Sequence, residues 1–170
     1  KLDVDTLIAE FGSIPSDAWS TTYWGGIHSS VGMLLLRGGN KGNATDFSCE
    51  AVQDHVPLDS LPYIRQMISA DGPFGEAKYA FIFRMIANGV TKAHKDLQEI
   101  WEDMFRIHIP ITTNREAILI ADDRMTHFSP GHAWTFNNNA IHGVVNGPSE
   151  RVHLIFDVPI NNRLKEQIDR

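Results

Sequence analysis

The second half of the chain most constrains the fold. From Lys78 onward, short β-rich runs (YAFIFRMI, MFRIHIPI, EAILIA, HAWTF, HGVVN and RVHLIFDV) alternate with the breakers NG, TTN, DD, SPG, NNN and NGPSE. Segments of this kind, spaced about ten residues apart, predict an antiparallel sandwich or barrel and argue against alternating βαβ units. The first half reads differently. Leu2, Leu7, Ile8 and Phe11, ended by Gly12 and Pro15, predict a short amphipathic helix that covers the main body. Val31–Leu36 reads as a buried strand. Arg37–Asp46, with three Gly and two Asn, reads as a long exposed loop of the kind that serves as a lid. Leu58, Leu61, Ile64, Met67 and Ile68 have helical spacing, so Pro57–Ile68 is expected to form one helix, with Asp59 and Ser60 offering capping oxygens. Leu164–Ile168 suits a short last helix. The expected organisation is one domain over 1–170, with a helical cover over about 1–76 and a sheet core over about 77–160.

Composition narrows the partners. With 42% hydrophobic and 21% charged residues, 13 Gly and 8 Pro, the chain is of neither disordered, collagen-like nor coiled-coil type. Its 15 Lys and Arg against 21 Asp and Glu give a net charge of −6, which argues against a nucleic-acid partner held by phosphate neutralisation. A small molecule or a protein is the expected partner. Cys49 is the only cysteine, which excludes an internal disulfide and a Cys-based zinc site and fits a reducing, cytoplasmic compartment. The apolar stretches Val31–Leu36 and Tyr79–Phe83 fall far short of the ~20 residues that span a bilayer. The opening KLDVDTLIAE lacks the basic and apolar regions of a signal peptide, and no membrane association is expected.

Six of the eight histidines lie between His94 and His153. In His94-Lys95-Asp96, an extended backbone turns the first and third side chains to the same side, so an imidazole and a carboxylate reach one metal ion together. His142, opening a predicted strand, would be the third ligand. Two His and one carboxylate on one face of a metal form the facial triad of non-haem Fe(II) oxygenases, which leaves three coordination positions open. The triplet alone is weak evidence, since chance gives about one His-x-Asp/Glu in such a composition. Alone it reads equally as a surface histidine beside a solvated carboxylate.

Two further features sharpen the reading. Arg151 enters the apolar run RVHLIFDV, where a guanidinium is costly unless a partner meets it, and its planar fork suits the carboxylate of a dicarboxylate cosubstrate. The structural alternative pairs it with Glu150 or Asp157. Arg106 and His108 stand two apart in MFRIHIPI with Phe105, Ile107 and Ile109 between and around them. One face of that strand therefore packs in a core while the other presents groups fit to hold an anion. The alternative is a solvent-facing Arg106 and a satisfied His108.

FRMIANGVTKAHKD, FRIHIPITTN, SPGHAWTFNNNAIHGVVN and RVHLIFDVPIN, in this order and spacing, resemble the aspartyl/asparaginyl β-hydroxylase domain family, which includes the bacterial L-proline cis-4-hydroxylases. IHSSVGMLLLRG adds a weaker similarity. The resemblance implies a mainly β double-stranded β-helix, a cupin-like jelly roll with flanking α-helices. It also implies an enzyme that uses Fe(II), 2-oxoglutarate and O2 to hydroxylate a C–H bond with release of succinate and CO2. The family's metal ligands fall on His94, Asp96 and His142, its arginine for the distal carboxylate on Arg151, and its Arg-x-His strand on Arg106 and His108, with His108 contacting the cosubstrate. The usual Pro-Gly before the metal loop is Asn88-Gly89 here, and the frequent His-Arg-Asp is His-Lys-Asp. Neither departure touches a ligand. Retention of Asp96 places the chain nearer the bacterial amino-acid hydroxylases than the animal members that lack this carboxylate.

Trp134 and Phe136 are candidate pocket walls, and Arg84 and Arg106 candidate partners for a substrate carboxylate; an aromatic residue on an alternating strand serves equally as core. Asn137–Asn139 read as a tight turn without a chemical role, and His28, His55, His127, His132 and His153 as surface or packing residues. The first functional expectation is a hydroxylase of a free or carrier-bound amino acid. A hydroxylase of a residue within a peptide or protein is the second, and a non-catalytic cupin-like metal-binding or sensor domain the third.

Overall fold

The computed structural model describes residues 1–19, 28–39, 52–96 and 102–168. From residue 40 onward the expected lid loop lies outside them. The described residues form nine strands: β1 (Val31–Gly38), β2 (Gln53–Asp54), β3 (Tyr79–Met85), β4 (Val90–His94), β5 (Met104–Thr112), β6 (Ile118–Ala121), β7 (Arg124–Thr126), β8 (His142–Val145) and β9 (Arg151–Pro159). A five-stranded sheet runs β2-β1-β3-β9-β5 and a four-stranded sheet β4-β8-β6-β7, with every pairing antiparallel. The chain passes from the large sheet to the small one after β3, back at β5, away at β6 and back at β9. This alternation is that of a double-stranded β-helix, the expected jelly roll. β1, from the stretch read as a helical cover, is a full member of the large sheet.

Strand alternation divides the large sheet into two faces with different work. Val152, Leu154, Phe156 and Val158 of β9, Ile107, Ile109 and Ile111 of β5, and Ala80 and Ile82 of β3 point to one side. There they pack with Leu7, Leu61, Ile64, Met67 and Leu164 of the helical layer. Each fully buried Leu, Ile or Phe contributes roughly 1.5–3 kcal/mol of transfer free energy, so this outer face is where the sheet gains its stability. Arg151, His153, Ile155 and Asp157 occupy the other face of β9, alongside Arg106 and His108 of β5. Residue-by-residue alternation thus leaves a polar, buried inner surface on β5 and β9, against the small sheet.

The helices hold the sheet by a capping interaction across the sequence. α1 (Val4–Ser13) starts on Asp3, whose carboxylate accepts from the Thr6 amide at 3.1 Å. Where one helix was expected over Pro57–Ile68, the chain makes a 3-10 turn at Val56–Ser60 and then α2 (Pro62–Met67). Pro62 lacks the amide hydrogen and its ring blocks continuation from the preceding turn, so a new helix must start there. Its cap comes from across the chain and not from Asp59. Buried Glu10 of α1 accepts from the Tyr63 and Ile64 amides at 2.6 and 2.9 Å, while Asp59 pairs with Arg65 at 2.7 Å. α3 (Asn162–Ile168) closes the layer.

Loop chemistry sets the registers. Asp122 and Asp123 both take positive φ (48° and 62°), the form of a two-residue hairpin turn between β6 and β7. Asn88 also takes φ 56°, a conformation closed to the proline that the family resemblance would put there. The HAWTF run, expected as a strand, makes only a bridge: Trp134 exchanges both backbone hydrogen bonds with His108 at 2.8 and 2.9 Å and so covers the free edge of β5.

The Glu10 cap predicts that Glu10→Ala lowers stability by about 2 kcal/mol, from a lost cap and a buried Ile64 amide left without an acceptor. Urea unfolding should show a lower midpoint at an unchanged slope, with a smaller loss for Glu10→Gln. An unmoved midpoint in both variants would contradict the capping role.

Candidate metal and cosubstrate site

His94 and His142 meet because β4 and β8 pair with these two residues in register. Gly143 lets the strands close up: a Cβ there would stand 3.0 Å from the Thr91 carbonyl oxygen. The two rings lie 4.3 Å apart, centroid to centroid. Asp96 follows β4 and donates its amide to the Asn138 carbonyl at 3.2 Å, which folds its carboxylate back beside them. His94, Asp96 and His142 each offer a ligand atom within 4.8 Å of the others. His94 Nε2 is 3.5 Å, and His142 Nε2 3.9 Å, from Asp96 Oδ1.

Backbone carbonyls choose the imidazole tautomers. His94 Nδ1 lies 2.8 Å from the Lys92 oxygen and His142 Nδ1 3.0 Å from the Ala140 oxygen. A carbonyl only accepts, so each Nδ1 carries the proton and each Nε2 turns a lone pair toward Asp96. Burial holds the His142 imidazole below its ordinary pKa, although the Ala140 carbonyl and Asp96 pull the other way. Two imidazole nitrogens and one carboxylate oxygen, converging from one side, fit the donor set of an Fe(II) facial triad.

The carboxylate is held as firmly as the rings. Asp96 Oδ2 accepts from Arg106 Nη1 at 2.6 Å and from Asn138 Nδ2 at 3.2 Å, leaving Oδ1 to the two Nε2 atoms. The other edge of Arg106 donates to Asp157, Nε to Oδ1 at 2.8 Å and Nη2 to Oδ2 at 3.2 Å. Burial opposes the charge of Arg106, yet Asp157 and Asp96 outweigh it and hold the guanidinium above its ordinary pKa. Burial pushes the Asp157 carboxyl up while Arg106 pulls it down.

Arg151 is in a different position. It is 9% exposed and neither expected structural partner meets it, because Glu150 binds Arg84 and Asp157 binds Arg106. Among the described residues it pairs with no carboxylate. Among the described residues its one side-chain hydrogen bond is from Nη2 to Nδ1 of His153, at 3.0 Å. Burial brings its pKa down to about 10, so it keeps its charge near neutrality. Next to it, His108 buries both ring nitrogens without a partner among the described residues. Burial, and after it the charge of Arg151, keep that ring well below the usual imidazole pKa, and therefore neutral. Phe136 lines this space, 5.4 Å from the His108 ring and 4.9 Å from the His142 ring. Phe128 packs against His108 at 5.7 Å. His28 sets its ring against His94 at 5.0 Å, and burial drives its pKa to about 4.

The structure brings His94, Asp96, His142, Arg106, His108 and Arg151 to one inner surface. It corrects the role of Arg84. That residue pairs in register with Val152, on the helix-covered face of β3, where it binds Glu150 and lies 4.7 Å over the Trp19 ring. Strand parity turns it away from the metal ligands. Arg106, expected on an anion, is instead occupied by Asp96 and Asp157. Trp134 stacks on Phe128 at 5.0 Å, gives its indole N–H to the Ser129 carbonyl and shares a cavity with Phe105, Ile107 and Leu164 of the helix-covered side. Phe136 is the aromatic residue beside the ligands. Asn138, read as part of a turn, grips Asp96. His28 and His153, read as packing residues, lie against His94 and Arg151.

Residues 44–160, more than half of the chain, match the family model described as aspartyl/asparaginyl beta-hydroxylase. The chain belongs to that family. It is therefore a dioxygenase, a hydroxylase that works with Fe(II), 2-oxoglutarate and O2. Among solved structures, it is similar to an oxidoreductase of the 2OG-Fe(II) oxygenase family from Burkholderia pseudomallei. The two are 15% identical over 94% of this chain and 78% of that one, with a TM-score of 0.66, a likeness of fold. A cupin domain from Bordetella pertussis Tohama I matches 48% of this chain and 81% of its own, at 19% identity and a TM-score of 0.38. No helix among the described residues is long and apolar enough to cross a membrane.

Removing the Asn138 side chain tests how Asp96 is held. Asn138→Ala should weaken Mn(II) or anaerobic Fe(II) binding about ten- to a hundredfold by calorimetry, the usual effect of losing a residue that orients a ligand. Unchanged metal affinity would count against this role.

Proposed function

We propose that this enzyme hydroxylates a small amino acid, free or carrier-bound, proline-like or other, with His94, Asp96 and His142 holding Fe(II) and Arg151 holding the distal carboxylate of 2-oxoglutarate. The observation that carries the reading is a buried guanidinium without a carboxylate partner among the described residues, on the same inner surface as a two-His, one-carboxylate cluster. Such a charge is destabilising when left alone and becomes an anion receptor when a carboxylate arrives. A dicarboxylate 2-oxo acid matches both ends of this surface.

When bound, Fe(II) with 2-oxoglutarate and O2 supplies the oxidative decarboxylation to succinate and CO2 and the hydroxylation of a C–H bond. The protein's own residues then have three tasks. Lys92 and Ala140 carbonyls and the Arg106–Asn138 grip keep the ligand atoms aimed, so little reorganisation is needed on binding. Arg151, with His108 beside it, orients the cosubstrate. Phe136 and Phe128 keep water from this space, and no side chain need act as a general acid or base.

Asp96 supports the small-substrate reading, since it is the ligand shared with the bacterial amino-acid hydroxylases that the sequence resembles. Hydroxylation of a residue within a peptide is the second reading. A purely structural metal site gives Arg151 no task.

Anaerobic titration of the Fe(II) protein with 2-oxoglutarate should raise the weak visible charge-transfer band of an iron–keto-acid pair. His94→Ala and His142→Ala should abolish it. Arg151→Leu should raise the dissociation constant for 2-oxoglutarate about a hundredfold, in line with roughly 3 kcal/mol for a charge-assisted pair. Iron binding without the band, or an Arg151→Leu protein of unchanged affinity, would refute the assignment. A panel of free amino acids and short peptides, scored by succinate formed, separates the two substrate readings.

A further inference from the structure

We propose that His153 is the positioning residue that makes Arg151 an anion receptor, and that its Nε2–H is a further donor of the same carboxylate subsite. This rests on the reading of Arg151 as the cosubstrate's partner. Among the described residues the Arg151 side chain makes one hydrogen bond, from Nη2 to His153 Nδ1 at 3.0 Å. A guanidinium has five N–H donors and no acceptor, so the direction of this bond is fixed: Nδ1 accepts. His153 is therefore neutral and carries its proton on Nε2. Its burial, with the charge of Arg151 next, favours that same neutral form.

Neutrality is what matters. Two arginines project from adjacent strands onto this buried surface, Arg106 from β5 and Arg151 from β9. Arg106 meets two carboxylates, which orient it and also cancel its charge. Arg151 is oriented by an imidazole, which fixes one edge of the planar fork and leaves the whole positive charge to a ligand. A carboxylate in place of His153 would form the intramolecular pair and compete with any incoming anion. Leucine would leave the fork unaimed.

His153 Nε2 is a buried donor without an acceptor among the described residues. His153 is 1% exposed, and its ring lies 6.1 Å from that of His108, whose two nitrogens are likewise buried and unpartnered. A buried hydrogen-bonding atom left without a partner is destabilising, and three such atoms beside a guanidinium without a carboxylate mark a place completed by a polar ligand. Pro110 of β5 and Phe83 of β3 flank His153 in register and bring no competing acceptor side chain.

The test measures 2-oxoglutarate binding to Mn(II)-loaded protein by calorimetry for wild type, His153→Leu, His153→Asn and His153→Asp, with thermal unfolding of each. The leucine variant should bind about tenfold more weakly. His153→Asn, whose side-chain oxygen can stand where Nδ1 stands, should recover to within about threefold, the remainder being the missing Nε2–H. His153→Asp, although folded, should lose binding by more than a hundredfold. In turnover, the Michaelis constant for 2-oxoglutarate should rise by more than kcat falls. Leucine and aspartate variants that bind within twofold of wild type would overturn the proposal, as would an asparagine variant no better than leucine. If the leucine variant does not fold, the asparagine–aspartate contrast decides. Wild-type protein that binds manganese but not 2-oxoglutarate would instead bring down the reading of Arg151, and this inference with it.

Discussion

A buried chain of charge, Asp157 to Arg106 to Asp96, ties the fold to its chemistry. Asp157 is fully buried in β9, an interior strand of the large sheet, and Arg106 reaches it from β5 by two hydrogen bonds. The far end of the same guanidinium holds the carboxylate that completes the cluster at the edge of the small sheet. Breaking such a pair by removing one member costs about 3–5 kcal/mol. The interaction therefore fixes the spacing of the two sheets at the point where ligands from β4 and β8 must converge. The rings add little of their own to that spacing, because each is aimed by a carbonyl two residues earlier in its own segment.

The same sheet surface carries a second arginine in the opposite electrostatic state. Arg106 is neutralised and structural, whereas Arg151 is oriented by a neutral imidazole and left charged. The outer face of the large sheet makes this tolerable. Val152, Leu154, Phe156 and Val158 alternate with the polar residues of β9 and bury themselves under the helices, so stability comes from one side of the strand and the other side is free to store unpaired polarity. A strand buried on both faces reads in sequence as one apolar run interrupted by Arg151, His153 and Asp157, and those interruptions are the inner surface.

Much of this was legible in the sequence, for physical reasons. Short β-rich runs bounded by NG, DD and NGPSE fix the strands because turns need those residues. The His94–Asp96 pair is legible because alternation puts both side chains on one side, and His142 because it opens a strand. What stayed hidden depends on pairing between distant strands. Arg106 and Asp157 are 51 residues apart, and only the β5–β9 register shows that they meet. Arg84 misled because parity within β3 is readable while the identity of the site-facing side is not. Asn138 lay in an asparagine run whose turn chemistry masked a side chain aimed at Asp96. The helix break at Pro62 was written in the sequence, but its cap, Glu10, lies more than fifty residues away and could not be found by local rules.

On the proposed reading, Arg151 is held charged, buried and without a carboxylate partner among the described residues so that a carboxylate of the cosubstrate can complete it. The most direct measurement compares the binding of 2-oxoglutarate with that of its C5-amide analogue, which keeps the keto-acid end and lacks the distal charge, in wild type and Arg151→Leu. Wild type should prefer 2-oxoglutarate by about a hundredfold, and the variant should bind the two alike. A variant that keeps the full preference would show that the distal carboxylate is held elsewhere and would contradict the account.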